Sequence, residues 1–213
     1  MYNFTFNIPT KIHFGKDTIS SLSELKAYGS KVLLVYGGGS IKKNGLYDTA
    51  MKILKDAGLT VFELSGVEPN PKIETVRKGV EICKNEGIDM VLAIGGGSTI
   101  DCSKVVAAGA RYDGDAWDLV LAGRPVTKTV PLSTVLTLPA TGSEMNNGAV
   151  ISRHETKEKY PFYSNFPLFS ILDPEVTFTL PPHQVACGLA DTFVHVMEQY
   201  MTVAGQSRVM DRW

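Results

Sequence analysis

The sequence predicts an α/β fold of the doubly wound, Rossmann-like kind, a parallel sheet with helices on both faces. Three observations carry that expectation. Short apolar, β-branched runs end in glycine; each is followed by a segment apolar at helical spacing; and the strand-like runs are apolar throughout, as strands buried on both faces require. "KVLLVYGGG" (31–39) is the first strand and its turn, and "IKKNGLYDTAMKILKDAG" is a helix closing on Gly58. "TVFELSG" is the next strand, and "PKIETVRKGVEICKNEG" a helix with Pro71 near its start and Gly87 past its end. "DMVLAIGGG" and "STIDCSKVVAAGA" repeat the pair. Beyond Arg111 the regularity fades: "RYDGDAWDLVLAGR" reads as a loop with one helical turn, "TVPLSTVLTLPA" as a buried strand, and residues 148–173 as short strands between charged or proline-containing turns. At "LPPHQVACGLADTF" paired prolines give way to a long amphipathic helix. A boundary near Leu180 therefore divides an α/β domain (1–180) from the start of a helical one (181–213), and "SRVMDRW" reads as the beginning of a further helix.

Composition narrows the function classes. A chain of 213 residues with 44% hydrophobic and 20% charged residues can bury one substantial core. Its 21 basic against 22 acidic residues give no bias toward nucleic acid or an anionic membrane surface. Cys83, Cys102 and Cys187 form neither a disulfide framework nor a CxxC metal cluster, which fits a reducing compartment. No segment approaches the ~20 apolar residues of a membrane span. The expected location is cytoplasmic.

Three polar turns follow apolar strands. In "VLAIGGGSTIDCSK", Gly95, Gly96 and Gly97 precede Ser98, and Asp101 three residues on resembles the far half of a capping box. The turn reads either as a phosphate cradle, its free N–H groups and helix dipole facing an anion, or as a tight connection that Ser98 merely caps. The first cluster, Gly37 to Ser40 with Lys42 and Lys43 beyond, lacks the acid that would meet NAD ribose hydroxyls and repel the extra phosphate of NADP. It favours NADP(H), with a solvated turn as the other reading. "TLPATGSEMNNGAVIS" packs Thr137, Thr141, Ser143, Glu144, Asn146 and Asn147 into a span richer in hydrogen-bonding groups than a connector needs, or is an Asx- and Ser/Thr-rich turn. Lys159 reads as a hairpin surface charge. Finally, "GLADTFVHVMEQY" sets Asp191 four residues before His195, on one helix face, where oxygen and nitrogen can meet one metal ion.

Taken in order, "YGGGS", "EPNP", "AIGGGSTID", "TLPATGSEMN" and "LADTFVHVMEQY" resemble the iron-containing alcohol dehydrogenases, in their NADPH-dependent butanol dehydrogenase and aldehyde reductase branch. The resemblance implies hydride transfer between NADP(H) and a primary alcohol or aldehyde. It implies Gly38, Gly39 and Ser40 around the adenosine ribose and 2′-phosphate with Asn70 nearby. Gly96, Gly97, Ser98 and Asp101 would hold the pyrophosphate, and Thr137, Leu138, Thr141, Asn146 and Lys159 would line the nicotinamide half. Asp191 and His195 would be the first two metal ligands. Iron(II) is the family metal, and a carboxylate with an imidazole also accepts zinc. The family supplies two further histidines from a longer helical domain. His13, His154 and His183 are poor replacements, so the chain reads as an N-terminal part whose helix exposes an apolar face over 185–201. A homodimer or larger oligomer is expected. Two alternatives stand beside this one: an NAD-linked zinc polyol dehydrogenase of the same fold, and a non-catalytic dinucleotide-binding or interaction module.

Overall fold

The computed structural model describes residue 5 and residues 7–201. The segment "SRVMDRW", expected to open a helix, lies outside them. Six strands, β1 (Lys11–Phe14), β2 (Lys31–Tyr36), β3 (Thr60–Leu64), β4 (Met90–Gly96), β5 (Leu132–Leu138) and β8 (Phe169–Leu172), form one sheet in the order β1-β8-β5-β4-β2-β3. Every pairing in it is parallel. The remaining two, β6 (Gly148–Arg153) and β7 (Glu158–Tyr163), make a separate antiparallel hairpin.

Residues of β2 alternate between the two faces, and each face has its own core. Leu33 and Val35 join Val91 and Ala93 of β4 under α3 (Ile73–Glu86) and α4 (Gly97–Gly109). Val32, Leu34 and Tyr36 join Met90, Leu92 and Ile94 under α2 (Leu46–Asp56) and the 3-10 segment Thr18–Tyr28. Both faces are thus covered, which is why these strands are apolar throughout. The hairpin docks on the first core through Ala149, Ile151 and Phe162, and its Ser152 N–H donates to the Pro71 carbonyl at 2.9 Å.

Some expectations are corrected. The helix expected over 41–58 is two: α1 (Ser40–Lys43) stops, Gly45 takes φ 80°, and α2 restarts with the Asn44 side chain accepting from the Leu46 N–H at 3.2 Å. A left-handed glycine beside a capping asparagine breaks the run that the apolar spacing joined. The single turn expected after Arg111 is α5 (Ala116–Leu121), capped by Asp115, which accepts from the Trp117 N–H. Ser98 is not a cap: Gly96 holds that position with no side-chain cap, and Asp101 turns inward. The long helix α6 (Pro182–Tyr200) follows the paired prolines as expected. Of its residues only Gly188 is buried, and Val185, Leu189, Phe193, Val196 and Tyr200 are exposed. Among the described residues, no helix is long and apolar enough to cross a membrane.

Helices α3 and α4 approach so closely that a Cβ on Gly79 would lie 2.7 Å from Val106 Cγ2 and 2.8 Å from Leu64 Cδ2. Gly79→Val should therefore lower the unfolding free energy in urea by about 1–3 kcal/mol; unchanged stability would mean that the two helices can separate without cost.

Candidate functional site

In a parallel α/β sheet, ligands gather outside the carboxyl ends of the strands where strand order reverses. The chain runs outward from β2 to β3, then returns to place β4 on the other side of β2. The reversal lies between β2 and β4, and the two glycine turns leave their carboxyl ends. The loop leaving β5, the next strand over, is the third polar turn.

The glycines of the two turns answer different needs. A Cβ on Gly95 would meet Thr99 Oγ1 and one on Gly97 would meet Thr141 Oγ1, so the second turn is glycine-rich because side chains crowd it. Gly38 and Gly39 have nothing within 4 Å of where a Cβ would stand. They face a pocket of about 290 Å³ lined by Tyr36, the three glycines, Lys42, Ser65 and Gly66. Internal packing does not explain that space, and backbone with no side chain beneath it suits close approach by a ribose or phosphate. At the second turn, α4 starts uncapped by any side chain, its first N–H groups without helical partners. Together the turns fit a dinucleotide.

Asp101 and Asn146 serve a buried polar network. Lys104, 1% exposed, shares the three N–H groups of Nζ among four acceptors: the Ser143 carbonyl (2.8 Å), Ser143 Oγ (2.9 Å), Asn146 Oδ1 (3.0 Å) and the Gly148 carbonyl (2.6 Å). Ser143 Oγ donates to Asp101 Oδ1 at 2.6 Å, and Asp101 Oδ2 accepts from the Val150 N–H at 2.9 Å. Burial pushes the Asp101 carboxyl above its usual value despite these bonds, and burial lowers the Lys104 ammonium to about 8. The network ties α4 to the loop 141–148. Across the cleft, Lys159 Nζ donates to Asn70 Oδ1 at 2.7 Å, because the hairpin pairs with residues 71–72.

Thr137 and Leu138 end β5, and Leu138 lines a groove of about 190 Å³ shared with Pro139, Leu180, Val185, Gly188 and Thr192. Gly188 admits α6 there, since a Cβ would lie 2.8 Å from the Pro139 carbonyl oxygen. On α6, Asp191 Oδ2 stands 3.7 Å from His195 Nε2, both side chains about half exposed. One oxygen and one nitrogen are fitting donors for a first-row divalent ion, but a closed protein site needs about four ligands. Among the described residues no cluster of three or more metal-ligating side chains occurs.

A family model for iron-containing alcohol dehydrogenases matches residues 9–174. The chain belongs to that family. Relatives of this iron-containing alcohol dehydrogenase chain carry both coenzyme preferences in their names. The probable NADH-dependent butanol dehydrogenase 1 of Bacillus subtilis is 55% identical over 100% of this chain and 56% of its own. The NADPH-dependent aldehyde reductase YqhD of Escherichia coli is 44% identical over 100% of this chain and 56% of its own. The crystal structure of NADH-dependent butanol dehydrogenase A from Thermotoga maritima superposes with a TM-score of 0.91 at 48% identity, over 94% of this chain and 52% of that one. The chain spans about half the length of the curated relatives it matches.

Sequence reasoning missed Lys104 and the partners of Lys42. For Lys104 a signal existed: a lone cation three residues after Asp101 in a helix whose other residues are uncharged. Replacing it strands several acceptors, so Lys104→Met should cost about 2–4 kcal/mol in chemical denaturation. The pH dependence has a definite sign. With its folded value near 8, below the ordinary 10.5, native Lys104 releases its proton first, so its contribution to stability rises between those values. The methionine variant should lack that rise.

Proposed function

We propose that this chain is the coenzyme-binding part of an oxidoreductase that moves a hydride between NADP(H) and a primary alcohol or aldehyde, as a butanol dehydrogenase does. The observation that carries the reading is the pair of glycine turns on either side of the strand-order reversal, the first facing open space that packing leaves unexplained. Gly38, Gly39 and Ser40 would receive the adenosine ribose with its 2′-phosphate, since turn 37–40 contains no acid to repel it. Gly96, Gly97 and Ser98 would present α4's free N–H groups to the pyrophosphate, with Asp101 fixing that helix to the third turn. Thr137, Leu138, Thr141 and Asn146 would border the nicotinamide half with Lys159 adding positive charge beside it, and Asn70, which accepts from Lys159, would face the adenosine ribose.

In this reading α6 opens a second, helical domain near Leu180, and Asp191 and His195 are the first two ligands of iron(II) or zinc. When bound, the nicotinamide carries the hydride and the divalent ion polarises the substrate oxygen. The protein's residues hold both partners in register and exclude water between them. Further ligands would come from the longer protein, whose copies would assemble as a homo-oligomer in the cytoplasm. A second reading, a dinucleotide-binding module without catalysis, is favoured because, among the described residues, no third metal-ligating side chain joins Asp191 and His195.

Two experiments test these assignments. Because a Cβ at Gly38 would have no atom beyond its chain neighbours within 4 Å, Gly38→Ala should leave the melting temperature within about 2 °C, yet weaken NADPH binding at least about tenfold by fluorescence titration. A variant that binds as the parent does would remove the first turn from the coenzyme site. Separately, anaerobic titration of the longer protein with iron(II) should find uptake that Asp191→Ala abolishes; unchanged uptake would remove Asp191 from the metal site.

A further inference from the structure

Lys42, one of the two lysines that follow the first glycine turn, is engaged within the protein. Its Nζ lies 3.7 Å from Glu63 Oε2, 4.4 Å from the centre of the Tyr47 ring and 5.1 Å from that of Tyr36. Glu63 is itself held from two sides: the Tyr36 hydroxyl donates to Oε2 at 2.6 Å and the Tyr47 hydroxyl to Oε1 at 2.7 Å. The two rings also pack against each other edge-on, 5.8 Å between centres. Partial burial opposes ionisation of Glu63, but the two hydroxyls and the ammonium outweigh it and keep the carboxyl below its usual value. Lys42 and Tyr36 line the same pocket as Gly37, Gly38 and Gly39, whereas Glu63 stands behind them on β3.

The pocket at the first glycine turn therefore carries a cation whose charge is cancelled by an anion one layer further out. A phosphate entering it would meet Lys42 with its counter-ion in place, and would feel Glu63 as a nearby like charge. A ribose with free hydroxyls would feel neither effect strongly. The aromatic rings would hold the ammonium in position even without the carboxylate.

We propose that Glu63 is a positioning residue that sets coenzyme choice: by neutralising Lys42 it restrains the preference for a 2′-phosphorylated dinucleotide and keeps NAD(H) competitive. The inference rests on the adenosine ribose lying at the first glycine turn. Dissociation constants for NADPH and NADH would be measured on the full chain at low salt, where screening is weak. Glu63→Gln should tighten NADPH about fivefold relative to NADH, and the gain should vanish in the double variant with Lys42→Met. Lys42→Met alone should shift the ratio the other way, weakening NADPH a few-fold relative to NADH, because it leaves Glu63 as an uncompensated like charge beside the 2′-phosphate. The proposal is overturned if Glu63→Gln leaves the ratio unchanged, if its gain survives loss of Lys42, or if Lys42→Met leaves the ratio unchanged. If the unaltered chain binds neither dinucleotide, the coenzyme reading itself fails and the role of Glu63 falls with it.

Discussion

Parallel pairing is the constraint on which the rest of the molecule depends. When every strand of the sheet points the same way, each connection must cross back over one face, and every strand's carboxyl end emerges at one rim. Passing from β3 back to β4 on the far side of β2 changes the face used, so the coverings α2 and α3 lie on opposite sides and cannot fill the rim between β2 and β4. A crevice there is a consequence of topology, before any residue is chosen to line it. The glycine turns and the loop after β5 elaborate it, each starting where a buried strand runs out.

Rigidity at that rim comes from a buried ammonium. Lys104 sits inside α4 and satisfies acceptors in the loop 141–148, which is also tied down by Asp101 accepting from Ser143 and by Ser170 donating to the Glu144 carbonyl. Burying a cation is costly, and here the cost is offset by multiple hydrogen bonds with Asp101 close behind. The result is a loop 141–148 joined to the helix that starts at the second glycine turn. Groups on the second and third turns thus share one rigid frame.

Most of the fold was legible in the sequence because periodicity records burial. β2 and β4 are apolar on both faces and are buried on both; α3 ends at Gly87 as its glycine signalled. The failures have local causes. The break at Asn44–Gly45 is a matter of backbone dihedral and one side-chain hydrogen bond, which apolar spacing does not register. Ser98 and Asp101 had the spacing of a capping box, but the helix begins at Gly97 and the acid serves a tertiary partner forty-two residues away. In the candidate site, the glycine clusters and the Asp191–His195 pair were visible because they are local patterns. Glu63 and Lys104 were not, since their roles depend on partners brought near by the sheet.

The thiols illustrate what such burial means in practice. Cys83 and Cys102 are enclosed in the first core, and burial pushes both up to about 12. At neutral pH they are almost wholly protonated and out of reach of electrophiles. Cys187 alone is exposed, one helical turn beyond His183 on α6. A maleimide dye would therefore mark a single position without mutagenesis, on the helix that also carries Asp191 and His195. Its emission would give an optical window onto whatever settles against that apolar surface.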